Sequence, residues 1–168
     1  ERGIDVFTGY GMSETCPILS VAHVPTEALG APLAEQAVLR ARTGRPMPLV
    51  DLRVVDRDLA DLPHDGHTTG EVVVRSPWLT QGYLHNPEAS AELWEGGVLH
   101  TGDIGHIDAE GFLQITDRIK DVIKTGGEWT SSLQIEDVVA QHPAVADVAV
   151  IGVPDPRWGE RPRALVTL

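Results

Sequence analysis

Between Met47 and Thr116 the apolar residues come in short runs, each broken by glycine, proline or an acidic residue before it reaches helix length. In "VDLRVVD" the alternation puts Leu52 and Val54 two apart on one face of a strand. "GEVVVR" reads as another strand, and "IGHIDAEGFLQI" as a hairpin that turns at Asp108 to Gly111. Asn86–Pro87 opens a helix here, because Asn caps and Pro fills the first turn without losing a needed N–H. That helix is expected to reach about Trp94. Short antiparallel strands in series bury their faces by curling into a small distorted β-barrel or stacking as a sandwich, so one of these is expected.

Elsewhere the pattern differs. "IDVFTGYG" is a short apolar run ending in glycines, and Thr26 to Arg42 favours helix with an interruption near Gly30 and Pro32. After Asp117 the period changes again. "RIKDVIK" reads as a strand broken by Gly126–Gly127. Ser131 with Gln134 is a helix-capping signal, and Ile135, Val138 and Val139 share one face of the helix that His142–Pro143 ends. "VADVAVIGV" reads as a buried strand and "RALVTL" as another. Strand, helix, strand, strand implies a small α+β unit. The expected class is α+β, with residues 1–118 in one region, 119–168 in the next, and a boundary at Asp117 to Lys120.

Charge removes several kinds of function. Twenty-five acidic residues face 13 basic ones, a formal net charge of −12. A surface that negative repels phosphate backbones and anionic membranes, so no nucleic-acid partner is expected. No apolar run approaches the roughly 20 residues of a membrane span. Cys16 is the single cysteine, so no internal disulfide can form; with no secretory signal, a cytoplasmic setting is expected. Cys16 has no basic neighbour, so it is not expected to act as a nucleophile. His64 and His67 are spaced like a metal pair, but "DLPHDGHTTG" is rich in turns and has no strong third ligand, so no metal site is expected there. The chain opens in what reads as mid-domain sequence and stops in a strand-like segment, so it is expected to be a piece of a longer protein.

Several places carry residue types suited to chemistry. In "GYGMSET", Gly9 and Gly11 would let a flat ligand approach and Tyr10 could stack on a base. Ser13 could bond a phosphate, and Glu14 could hold Mg²⁺. The simpler reading is a strand end followed by a Ser-capped turn. Asp103 could accept from a ribose diol, or could only bond its own turn. Arg118 could donate its fork to ribose or phosphate, or pair at the surface with Asp117 or Asp121. Lys120 and Lys124, four apart in a strand, share a face and flank an anion or solvent. Gly126 and Gly127 would admit a narrow ligand or make a loop.

Singly these signals are weak; their order is specific. "GYGMSET", "GEVVVRSPWLTQGY", "LHTGDIGHIDAEGFLQITDRIKDVIKTGGEW" and "HPAVADVAVIGVPDPRWGERPRALVTL" resemble, in sequence order, the motifs of the adenylate-forming superfamily. That superfamily includes acyl-CoA synthetases, firefly luciferase and nonribosomal peptide adenylation domains. Ser76 departs from the pattern, where many members carry glycine.

The resemblance implies that residues 1–118 are the C-terminal part of a large AMP-binding domain with a β-barrel-like subdomain. Residues 119–168 would be an incomplete small C-terminal lid domain. It implies that Tyr10 stacks on adenine between Gly9 and Gly11, that Ser13 contacts the α-phosphate and that Glu14 holds Mg²⁺. Asp103 would grip the ribose hydroxyls with Arg118 assisting. Lys120 falls on the hinge. Lys124, Gly126, Gly127, Glu128 and Trp129 belong to the face that arrives for thioester formation and lines the CoA channel.

The implied reaction joins a carboxylic acid to ATP as acyl-AMP, then passes the acyl group to a thiol. Mg²⁺ and a lysine would neutralise the polyphosphate. Trp129 and "GMSETCP" look most like the fatty-acid and medium-chain acyl-CoA ligases, which favours CoA as acceptor. A homodimer is the expected assembly. The family's phosphate loop is expected upstream of Glu1 and its adenylation lysine beyond Leu168, so this chain alone is expected to be inactive. A carrier-protein-directed adenylation domain and a non-catalytic interaction module are the alternatives.

Overall fold

The computed structural model describes residues 4–168, apart from the side chains of Glu128 and Trp129. The chain forms two compact units. One runs to Thr101 and includes Gly105–Ile115; the other is Gly102–Ile104 with Thr116–Leu168.

The first unit opens with short strands. β1 (Gly9–Tyr10) pairs antiparallel with β2 (Ser20–Val21), which pairs with β3 (Arg45–Pro46). Close backbone approach here depends on glycine: a Cβ at Gly11 would lie 1.6 Å from the Pro17 carbonyl oxygen. α1 (Leu33–Ala41) follows a single turn at Thr26–Ala28, so the break near Gly30 and Pro32 falls where the sequence puts it. β4 (Asp51–Val55) and β5 (Gly70–Arg75) pair antiparallel with Leu52 opposite Val74 and Val54 opposite Val72. These four join Leu19, Leu93, Leu99, Ile107 and Leu113 in one buried cluster. Each such side chain stabilises the unit by about 1.5–3 kcal/mol on burial. α2 (Pro87–Leu93) starts as expected: the Asn86 side chain accepts from the Ala89 N–H at 3.1 Å.

β6 (Leu99–Ile107) and β7 (Leu113–Arg118) meet at the expected turn. There the Asp108 carboxylate accepts from the N–H groups of Glu110 and Phe112, and Gly111 N–H donates to the Asp108 carbonyl at 2.9 Å. The sheet order is β4-β5-β6-β7. The expected barrel does not close among the described residues. Four strands are too few to curl round and meet, so the sheet stays open at β4 and β7.

In the second unit the expected strand "RIKDVIK" is corrected. β7 ends at Arg118, and the Arg118 carbonyl accepts from the N–H groups of Asp121 and Val122, both at 2.9 Å. That makes a turn of Ile119 to Asp121. β8 (Ile123–Thr125) and β9 (Glu128–Thr130) then form a tight hairpin with Thr125 opposite Glu128. Its two-residue loop is Gly126 (φ 61°) and Gly127 (φ 88°), a left-handed pair that matches strand twist and that glycine adopts without strain.

α3 (Ser132–Ala140) is capped by Ser131 Oγ, which accepts from Gln134 N–H at 3.2 Å. It packs on β10 (Asp147–Asp155), and Glu136 Oε1 accepts from the Val150 N–H at 2.6 Å. β10 pairs along its length with β11 (Gly159–Thr167), giving the order β10-β11-β8-β9. β10 is therefore an edge strand and not the fully buried one expected. Alternation puts Val150 inside at 6% exposed and Ile151 on the other face at 48%. Val138 is likewise exposed on α3, whereas Ile135 and Val139 are half-buried. No described helix is long and apolar enough to cross a membrane.

Candidate functional site

The first unit gathers Gly9, Tyr10, Gly11, Ser13 and Glu14 on β1 and the turn after it. The expected Ser-capped turn is a turn held by Thr15. The fully buried Thr15 Oγ1 accepts from Met12 N–H at 2.9 Å and lies 2.9 Å from the Met12 and Pro17 carbonyls. Ser13 is left exposed and Glu14 half-buried. Glu14 meets a residue that sequence reasoning did not single out. The Tyr83 hydroxyl donates to Glu14 Oε1 at 2.7 Å. The carboxylate beside it, with some burial, holds the Tyr83 phenol above its ordinary pKa. Tyr83 ends the "GEVVVRSPWLTQGY" motif, but nothing local in the sequence pairs it with Glu14.

The second unit carries the acidic pair and the two lysines. Asp103 lies within β6, 4% exposed, and its Oδ1 accepts from Arg118 Nε at 2.9 Å. Arg118 thus pairs with Asp103, not with Asp117 or Asp121 at the surface. Its side chain stays 54% exposed, so the guanidinium keeps donors free for a ligand. Asp117, also not singled out, is 2% exposed. It accepts from Arg118 N–H at 2.7 Å and from Ser132 N–H at 3.0 Å, fastening the end of β7 to the first turn of α3. Its signal in the sequence is its place where the period changes.

Lys120 is exposed in the Ile119 to Asp121 turn, and Lys124 is exposed on β8 with its N–H donated to Glu160 Oε2 at 2.8 Å. They stand on different elements, so they do not share one strand face. Gly126 and Gly127 are required by their turn, and Gly126 N–H donates to the Trp158 carbonyl at 2.9 Å. Glu128 and Trp129 contribute backbone to β9; their side chains lie outside the described residues. A cleft of about 620 Å³ opens beside the turn, lined by Asp117, Arg118, Lys120, Glu136 and Val150 among others.

Among the described residues no group of three or more His, Cys, Asp or Glu could hold a metal ion. Glu14, a single carboxylate with one oxygen engaged, fits a cation that completes its shell with water and substrate phosphate, as Mg²⁺ does.

Residues 1–84 match the family model "AMP-binding enzyme", and residues 134–168 match "AMP-binding enzyme C-terminal domain". The chain belongs to the AMP-binding enzyme family. It is 44% identical over 165 residues to the long-chain-fatty-acid–CoA ligase of Thermus thermophilus, covering 98% of this chain and 30% of that relative. The solved o-succinylbenzoate CoA synthetase of Bacillus subtilis, in complex with its acyl-adenylate intermediate, matches with TM-score 0.76 and 32% identity, over 98% of this chain and 32% of that one. The amide bond synthetase McbA of Marinactinospora thermotolerans matches with TM-score 0.75 and 37% identity, over 94% and 30%. Asp103, Arg118, Lys120 and Lys124 of this AMP-binding family member lie between the two matched segments.

Proposed function

We propose that the protein carrying this chain is an ATP-dependent acid–thiol ligase, which activates a carboxylic acid as acyl-AMP and transfers the acyl group to CoA. The observation that carries the proposal is the buried Asp103 carboxylate, held by an exposed Arg118 just before a turn. A buried carboxylate whose orientation an arginine fixes suits a ribose diol, because a charged acceptor bonds hydroxyl donors more strongly than a neutral one.

In this reading Tyr10 stacks on adenine, with Gly9 and Gly11 giving the base access. Ser13 donates to the α-phosphate. Glu14 would hold Mg²⁺, which when bound supplies positive charge against the phosphates. The substrate carboxylate oxygen attacks the α-phosphorus, the bond to the bridging oxygen breaks, and pyrophosphate leaves. The CoA sulfur then attacks the acyl carbonyl, and AMP leaves with the electron pair of the broken C–O bond. Residues 1–118 act as part of the large domain and 119–168 as part of the lid. The Ile119 to Asp121 turn, with Lys120 at its centre, is the pivot. Lys124, Gly126, Gly127, Glu128 and Trp129 line the approach of the thiol. A fatty acid is the favoured acid, given the identity to the Thermus ligase.

A second reading follows from the likeness to an amide bond synthetase: an amine, in place of CoA, attacks the same acyl-AMP. The two half-reactions distinguish these. The intact protein should exchange pyrophosphate into ATP only when a carboxylic acid is present, and should then form a thioester with CoA. Exchange without thioester, but with amide formed from added amines, supports the second reading. No exchange with any acid refutes both.

A further inference from the structure

We propose that Tyr83 is a positioning residue for Glu14: it fixes one carboxylate oxygen so that the other is presented to the cation of a metal–ATP complex. The inference rests on the cation-binding role proposed for Glu14. The contact joins residues 69 positions apart, at 2.7 Å.

Both partners are built into place. The Glu14 carbonyl accepts from Thr80 N–H at 2.9 Å. The Thr80 carbonyl in turn accepts from Trp94 Nε1 at 3.0 Å. At the other end of the segment, Tyr83 N–H donates to Ser90 Oγ at 2.8 Å, and Ser90 Oγ donates to the Asn86 carbonyl at 2.7 Å. The segment from Thr80 to Tyr83 is therefore fastened at its start to Trp94 and at its end to α2. From there it grips Glu14 by the carbonyl and by the carboxylate.

A glutamate on a short turn otherwise spreads over many rotamers and must give them up to bind a cation. With Oε1 engaged, Oε2 is the oxygen left for coordination. An incidental surface hydrogen bond would need none of this support. The hydroxyl acts through Glu14 and touches no substrate.

The test uses Mn²⁺ with ATP as the probe, on the intact protein, read by calorimetry and by electron paramagnetic resonance of the bound Mn²⁺. Tyr83→Phe should weaken Mn²⁺–ATP binding about fivefold to tenfold, the loss of one hydrogen bond to a charged group that is partly exposed. Binding of ATP without metal should not change. In a Glu14→Gln background the same substitution should add nothing, because the two residues act as one unit. Ser90→Ala, which frees the Tyr83 N–H and keeps the hydroxyl, should shift affinity in the same direction by less, and it stands in if Tyr83→Phe misfolds. Unchanged Mn²⁺–ATP binding in Glu14→Gln alone overturns the cation role of Glu14, and the positioning role with it. Weakened binding in Glu14→Gln, with no change in Tyr83→Phe or an equal loss in both backgrounds, overturns the Tyr83 proposal alone.

Discussion

Asp103→Ala removes an acceptor that is 4% exposed and that an arginine already orients. Two effects need separating. The ion pair with Arg118 is worth at most about 1 kcal/mol to stability, because the arginine side chain is 54% exposed and is solvated once its partner goes. The loss to nucleotide binding is larger. Hydrogen bonds from ribose hydroxyls to a charged acceptor are worth about 1.5–3 kcal/mol, since the same hydroxyls can otherwise bond water. That is roughly a 10- to 150-fold rise in the dissociation constant for ATP and for AMP. Asp103→Asn keeps the size and one acceptor but loses the charge, so it should fall between. The assay is calorimetric titration of the intact protein with ATP and with AMP, beside denaturant unfolding. Unchanged nucleotide affinity in a folded Asp103→Ala variant refutes the assignment. So does an affinity loss no greater than that of an unrelated variant of equal stability loss.

Lys124→Ala should leave pyrophosphate exchange near wild type while thioester formation falls, and equal loss of both half-reactions counts against this division of labour. Lys120→Pro should also spare exchange and depress thioester formation, because proline fixes φ and restricts Ile119 before it, so a pivot turn can no longer change dihedrals; wild-type thioester rates would remove the pivot from Lys120. Gly11→Ala should cost at least about 3 kcal/mol, since the new Cβ would lie 1.6 Å from a backbone oxygen, whereas Gly30→Ala, with nothing within 4 Å, should stay within about 0.5 kcal/mol. Denaturant midpoints compare the two directly. His106 Nδ1 is buried and has no hydrogen-bond partner among the described residues. Burial, with His67 nearby, pushes the imidazole below its ordinary 6.5, against Asp108 and Asp65, which act the other way. The unfolded chain then takes up this proton first as pH falls through 6.5, so His106's contribution to stability is present above that pH and lost below it. His106→Gln should flatten the stability profile in that window, and an unchanged slope contradicts the argument.

What the sequence discloses is what local chemistry decides. The start of α2 was readable because an Asn cap and a Pro at the first position act within one turn of chain. The Asp108 turn was readable for the same reason, and so was the face shared by Leu52 and Val54. The turn at Ile119 to Asp121 was not. Ile119, Val122 and Ile123 give a strand-like apolar content, and only the bonds back to the Arg118 carbonyl break it. Closure of the sheet is not legible locally, because it depends on which distant strands pair and not on any run of residues. Among the candidate residues the sequence shows the motifs, but not the contacts that link distant ones. Tyr83 reaches Glu14 and Asp117 reaches Ser132 through the fold alone.

Oxygen-18 directly follows the carboxylate oxygen proposed to attack the α-phosphorus of ATP. The intact protein would be given a carboxylic acid labelled in both oxygens, ATP, Mg²⁺ and CoA, and the products read by mass spectrometry. One labelled oxygen is expected in AMP and none in pyrophosphate, with the other retained in the acyl-CoA. Label in inorganic phosphate with ADP as the second product, or AMP formed without label, would contradict it.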